Sequence, residues 1–200
     1  MSVTVASARF LRACRRQPVD CTPVWFMRQA GRSQPEYRAL RERYTLLEIC
    51  RHPDLVAEVT LRPVEQLGVD AAVLFADIML PLEGIGVAFD LEEDRGPRIH
   101  EPIRDEASLR ALHAFAPTPT IAAILEAVRL LRSASTVPVI GFAGAPFTLA
   151  SYLIEGGPSH EFLRTRILMH QRPDLWRALL QRLAEMTAAY LRLQVTAGAH

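Results

Sequence analysis

Arg28 and Arg32 bracket Gln29, Ala30 and Gly31 in the run Met27-Arg28-Gln29-Ala30-Gly31-Arg32, directly behind the apolar stretch Pro23-Val24-Trp25-Phe26. A guanidinium stays charged at any physiological pH, and its planar fork bonds a carboxylate through two parallel N–H···O contacts, which a lysine cannot reproduce. Gly31 carries no Cβ, so a ligand can approach the backbone between the two arginines. Gln29 offers both an amide donor and a carbonyl acceptor, fit either for a further carboxylate or for fixing an arginine. The pattern suits a clamp for a polycarboxylate. It also suits two solvated arginines on the surface after a strand, the common setting for this residue type.

Asp77 closes the apolar run from Val69 to Phe75. Taken alone, an aspartate there caps a helix or forms a turn. Tyr152 stands in an apolar segment behind Gly144-Ala145-Pro146, where its phenol can donate to a carboxylate or serve as a buried aromatic with a satisfied hydroxyl. Arg41 shares a predicted helix with Glu36 and Arg38 and by itself reads as part of a solvated face. The glycines at 141 and 144 lack the GxGxxG spacing of a dinucleotide site, and no GxxxxGK[ST] is present, so no cofactor is expected. Cys14, Cys21 and Cys50 are odd in number and show no CxxC spacing, and the six histidines form no ligand motif, so neither a disulfide framework nor a metal site is expected.

These residues need elements to hold them. Half of the 200 residues are hydrophobic and 22% are charged, enough apolar material for a sizeable core. A formal net charge of +1 gives no general field for nucleic acid or anionic membranes, and any anion site must be local. The cysteine pattern makes a reducing cytoplasm the expected location; no apolar stretch approaches the roughly 18 residues of a membrane span, and the arginine-bearing N-terminus reads as a first helix instead of a leader, so a soluble protein is expected. Helices are predicted over 4–15, 36–43, 53–67, 120–132, 146–155, 162–169 and 173–195, with a kink at Pro63. Buried strands are predicted at 23–27, 69–75 and 137–142, and residues 84–104 read as an irregular excursion or short hairpin. Strands alternating with helices, with polar residues at strand ends, indicate parallel βα units of a (β/α)8 TIM-barrel type. About three strands are too few for a barrel of roughly 250 residues, so residues 1–200 are expected to be the N-terminal part of one barrel domain.

The run from Pro23 to Arg32, continued by Pro35-Glu36-Tyr37-Arg38, closely resembles the N-terminal signature of the uroporphyrinogen decarboxylase family. Gly141-Phe142-Ala143-Gly144-Ala145-Pro146-Phe147-Thr148-Leu149-Ala150-Ser151-Tyr152-Leu153-Ile154-Glu155-Gly156 resembles its second signature, and Leu74-Phe75-Ala76-Asp77-Ile78 matches its acidic strand end. The resemblance implies removal of the acetate carboxylates of uroporphyrinogen III without a cofactor, in haem and porphyrin biosynthesis, by an enzyme that is a homodimer at full length. It implies that Arg28, Gln29, Ala30, Gly31, Arg32, Tyr152 and, as an added candidate, Arg41 hold the substrate. It implies that ionised Asp77 accepts the pyrrole N–H groups and stabilises the developing cation, and that Arg28, Arg32 and Asp77 face one cleft.

Cys21 stands where the family usually has arginine, and Ser33-Gln34 replaces its usual aromatic-aliphatic pair, both beside the expected site. The family's later hydroxyl-bearing and histidine contacts are expected beyond His200. Two other functions compete: a corrinoid-dependent methyltransferase of the same superfamily, and an inactive tetrapyrrole-binding fragment. The arginine clamp argues against the first, since methyl transfer to a small thiol requires no such group.

Overall fold

The computed structural model describes the backbone of residues 5–92 and 95–200 and the side chains from Arg9 onward. The expected helix start at Thr4, and Glu93 and Asp94 of the charged excursion, lie outside the described residues. The chain forms two compact units, one of residues 1–76, 122–142 and 193–200, the other of residues 77–121 and 143–192.

The first unit contains α1 (Val5–Cys14), α2 (Pro35–Arg41), α3 (Leu46–Cys50), α4 (Pro53–Leu67) and β1 (Ala72–Val73). It also holds most of α7 (Pro119–Ala134), all of β4 (Val139–Ile140), and the end of α10 (Pro173–Ala197). β1 and β4 pair in parallel, Ala72 opposite Val139 and Val73 opposite Ile140. The Ala72 and Leu74 N–H groups donate to the Pro138 and Ile140 carbonyls at 2.9 and 3.0 Å. Alternate residues of a parallel strand bond to alternate sides, so Val139 turns the other way and meets His200. The His200 N–H donates to the Val139 carbonyl at 2.9 Å, and the Val139 N–H donates to His200 Nδ1 at 3.1 Å. Burial, then the adjacent Arg132 guanidinium, hold that imidazole below its ordinary pKa, which keeps Nδ1 free to accept. Ala71 through Leu74 are all buried, as a strand covered on both faces requires.

α4 starts at Pro53, where a missing N–H does no harm, and stops at Gly68, whose φ of 63° closes the helix with a bond to the Val64 carbonyl. It runs unbroken through Pro63. Buried Thr60 donates to the Val56 carbonyl at 2.7 Å and accepts the Phe75 N–H at 2.9 Å, which ties α4 to the exit of β1.

The strand expected at 23–27 is not a ladder strand. Val24, Trp25, Phe26 and Met27 are exposed, Met27 at 78%. The Asp70 N–H donates to the Val24 carbonyl, but the Val24 N–H is taken by the Asp70 carboxylate, both at 2.8 Å. A side chain thus supplies the bond that a neighbouring strand would give, and the Gln29 N–H then closes a turn on the Phe26 carbonyl at 3.1 Å. The other two predicted strands are present but shorter, at 72–73 and 139–140.

In the second unit, α5 (Leu80–Glu83) precedes a hairpin of β2 (Phe89–Glu92) and β3 (Gly96–Ile99), antiparallel with Phe89 opposite Ile99. α6 (Glu106–Arg110), α8 (Pro146–Glu155), α9 (Leu163–Gln171) and the first twenty residues of α10 complete it. α8 opens on Pro146 and ends at Gly156 with φ 89°. The α10 residues Leu175, Leu179, Leu183, Met186 and Tyr190 form one buried stripe at helical spacing. The three short helices α3, α5 and α6 have too few residues for a hydrophobic period. Two of them are started by capping boxes, Thr45 with Glu48 and Asp105 with Ser108.

Candidate functional site

The arginine loop is held in the first unit by amides, not by apolar packing. Gln29 is 5% exposed; its Nε2 donates to the Ala71 carbonyl at 2.9 Å and its Oε1 accepts the Phe26 N–H at 3.2 Å. The expected ligand-facing amide is therefore engaged with the backbone, anchoring the loop beside β1. Gln34, 6% exposed, takes the other end: it accepts the Gly31 N–H at 3.4 Å and donates to Gln66 at 3.0 Å, and Gln66 donates to Glu36 at 3.2 Å. Arg38 donates to the Arg32 and Ser33 carbonyls at 2.9 and 3.2 Å. Between these anchors the Arg28 and Arg32 side chains are exposed and Ala30 is half-buried. Arg41 donates to the Tyr44 carbonyl at 2.9 Å, closing the end of α2.

Gly31 has φ +152°, and open space surrounds the position a Cβ would take. Its requirement is conformational, not steric. Gly31→Ala is expected to lower stability by about 1–3 kcal/mol, the usual range for a residue forced into a glycine-only region. Chemical denaturation of the whole protein checks this, and a shift below about 0.5 kcal/mol would contradict the strain reading.

Asp77 belongs to the second unit. Its Oδ1 accepts the Met79 N–H at 2.8 Å and its carbonyl accepts the Leu80 N–H at 3.3 Å, so it forms the turn into α5. Among the described residues nothing bonds to Oδ2, which leaves its lone pairs available to a ligand N–H. Burial raises the carboxyl above the usual aspartate range, and the Met79 N–H opposes that shift. The second glycine-rich stretch meets this turn: a Cβ on buried Gly144 would lie 3.2 Å from Ile78 Cβ and 2.7 Å from Leu149 Cδ2. Tyr152, on α8, is half-buried, and no described residue bonds to its hydroxyl.

Several residues that matter here were not expected from sequence. Asp70, Gln34 and Gln194 are buried polar groups whose partners lie far off in the chain. Gln194 accepts the Phe142 N–H and donates to the Phe142 carbonyl, both at 2.9 Å. The one signal was Asp70 itself, a charge inside an apolar run. Among the described residues no group of three or more His, Cys, Asp or Glu is arranged for a metal, and no helix is long and apolar enough to cross a membrane.

The family model described as uroporphyrinogen decarboxylase (URO-D) matches residues 6–200. The chain belongs to the uroporphyrinogen decarboxylase family. A uroporphyrinogen decarboxylase of Sorangium cellulosum is 55% identical over 193 residues, covering 96% of this chain and 55% of the relative. One from Thermus thermophilus is 57% identical over 189 residues, covering 94% and 55%. The chain thus spans about half the length of the curated relatives it matches. A solved methyltransferase from Methanosarcina mazei superposes with a TM-score of 0.74 over 97% of this chain and 56% of that one; at 22% identity the likeness concerns the α/β fold alone.

Proposed function

We propose that the whole protein is a uroporphyrinogen decarboxylase, a cofactor-independent carboxy-lyase that converts uroporphyrinogen III to coproporphyrinogen III in haem and porphyrin biosynthesis. The observation that carries this reading is the exposed Arg28–Arg32 pair on a loop anchored at both ends by buried amides, in a chain more than half identical to enzymes of that name. On this reading the 200 residues are the N-terminal part of one (β/α)8 barrel domain, and the whole protein is a cytoplasmic homodimer.

The substrate carries eight carboxylates on four pyrrole rings, so the enzyme must hold many anions while one acetate reacts. Arg28 and Arg32 serve the holding role, with Arg41 as an auxiliary cation and Ala30 and Gly31 keeping the approach narrow in bulk. Protonation of a pyrrole carbon creates a cation; the acetate C–C bond then breaks, carbon dioxide leaves, and the bonding pair neutralises the ring. A proton then adds to the exocyclic carbon to complete the methyl group, and the ring carbon gives up the proton it first took, which restores the pyrrole and leaves one proton consumed per carbon dioxide released. Asp77, with Oδ2 toward the pyrrole N–H groups, stabilises the cation, a preorganised electrostatic role. The Tyr152 hydroxyl donates to a substrate carboxylate.

The test is anaerobic turnover of uroporphyrinogen III by the whole protein, with products resolved by their number of carboxylates. Arg28→Ala should raise KM about tenfold or more, as expected for one charge-assisted contact of roughly 1.5–3 kcal/mol, and change kcat less. An intact parent that releases no carbon dioxide would refute the function. A parent-like KM in the variant would remove Arg28 from the clamp.

A further inference from the structure

Asp70 is 6% exposed at the entry to β1, yet its carboxylate is fully engaged. Oδ1 accepts Arg9 Nη1 at 2.7 Å and Oδ2 accepts the Val24 N–H at 2.8 Å. Its own N–H donates to the Val24 carbonyl at 2.8 Å, so Val24 is held on both backbone groups by this one residue. Arg9 is fixed from its other side, with Nε and Nη2 on the two oxygens of Asp20 at 2.7 and 2.6 Å. The chain leaves Val24 and within a few residues presents Arg28. On the far side of that step Gln29 is bonded to the Ala71 carbonyl, the residue next to Asp70. Segment 24–29 has no strand ladder to fix it, so its placement rests on these two neighbouring anchors, one of them ionic.

We propose that Asp70 is a positioning residue for the arginine loop: held by Arg9, its buried carboxylate fixes Val24 and through it the place of Arg28, so that it controls capture of a polyanionic substrate without touching it. This rests on the decarboxylase reading for its substrate but not for the tether. An amide at position 70 has one acceptor oxygen for two donors, so its NH2 must face either the Arg9 guanidinium or the Val24 N–H, and a donor facing a donor cannot hold that partner in register.

The experiment measures hydrogen exchange at the amides of residues 24–32 and steady-state kinetics on the whole protein. Asp70→Asn should speed exchange at the Val24 amide and its neighbours about tenfold, and raise KM for uroporphyrinogen about tenfold with kcat within about twofold; displacements of the order of 1 Å at a binding group have effects of this size or larger. Arg9→Gln, which leaves Asp70 in place, should move both readouts in the same direction, and it serves as the test if Asp70→Asn does not fold. Asp20→Asn, which keeps one acceptor for Arg9 and leaves the Arg9–Asp70 bond in place, should move both readouts in the same direction but by less than Arg9→Gln does. Parent-like exchange at 24–29 in both the Asp70 and Arg9 variants overturns the tether, whatever the parent does with substrate. Faster exchange with KM unchanged, or a fall in melting temperature alone, overturns the positioning role. A parent that neither binds nor converts uroporphyrinogen refutes the decarboxylase reading, and the exchange measurement then decides the tether by itself.

Discussion

Asp77→Asn in the whole protein is expected to reduce kcat for uroporphyrinogen by roughly two to three powers of ten, the 3–4 kcal/mol attached to loss of one preorganised electrostatic group. The variant keeps the shape of the side chain and an oxygen for the Met79 N–H, so the turn into α5 should survive. Binding, measured with a non-reacting polycarboxylate porphyrin, should stay within a few fold. An unchanged kcat would leave Asp77 as a turn former and nothing more.

The same substitution has a distinct stability signature. Burial raises the Asp77 carboxyl in the folded state above its value in an unfolded chain, about 3.9 for an unperturbed aspartate. Between those two values the folded state holds a proton that the unfolded state has released. The protonated form is therefore the better tolerated one, and its stability advantage is lost as pH rises through the folded pKa. At neutral pH the parent carries a half-buried charge that asparagine lacks. Asp77→Asn should accordingly melt at or above the parent temperature, and the difference should close as pH falls toward about 4. The kcat/KM of the parent should decline on its acid side above the ordinary aspartate range, while the residual activity of the variant lacks that limb. A variant that melts well below the parent at pH 7 would mean that the charge is satisfied by a partner and that the shift has the opposite sign.

How far these residues could be read without coordinates depended on whether their determinants are local. α4 and α8 match their expected spans because proline at the first turn and glycine just past the last are local chemistry. β1 and β4 are legible because a strand buried on both faces shows as a nearly continuous apolar run, broken before β1 by Asp70. The same rule misread 23–27, where exposed Trp25, Phe26 and Met27 are apolar for a reason other than burial in this unit. In the candidate site, the clamp residues were visible as residue types, but the bonds that hold them were not. Gln29 reaches Ala71, Gln34 reaches Gln66, and Arg9 reaches Asp70, 61 residues further along the chain. Such pairings join segments that are distant in sequence and meet only in the folded unit, so no local spacing announces them. The departure at Gln34 illustrates the point: a position that differs from the family pattern carries a buried amide tie to α4.

Gly141→Ala is expected to be the most disruptive single methyl in the first unit. A Cβ there would overlap Gln194 Oε1, and it would stand 3.4 Å from Ala199 Cβ, so retreat toward the chain end is restricted. Gln194 cannot simply swing away, because it is 1% exposed and holds the Phe142 N–H and carbonyl at 2.9 Å each. Displacing it breaks two hydrogen bonds worth roughly 1 kcal/mol apiece and leaves two backbone groups of Phe142 short of partners, at a further 1–3 kcal/mol. The total, about 3–5 kcal/mol, is a large part of the usual stability of a domain. Urea denaturation of the whole protein measures it. Gln194→Ala supplies the second half of a cycle: it loses the same two bonds but makes room for the methyl, so the double variant should be less destabilised than the sum of the singles by about 1 kcal/mol or more. Strict additivity, or a Gly141→Ala loss under about 1 kcal/mol, would show that the glycine is not required by the Gln194 contact and that the end of β4 is held in some other way.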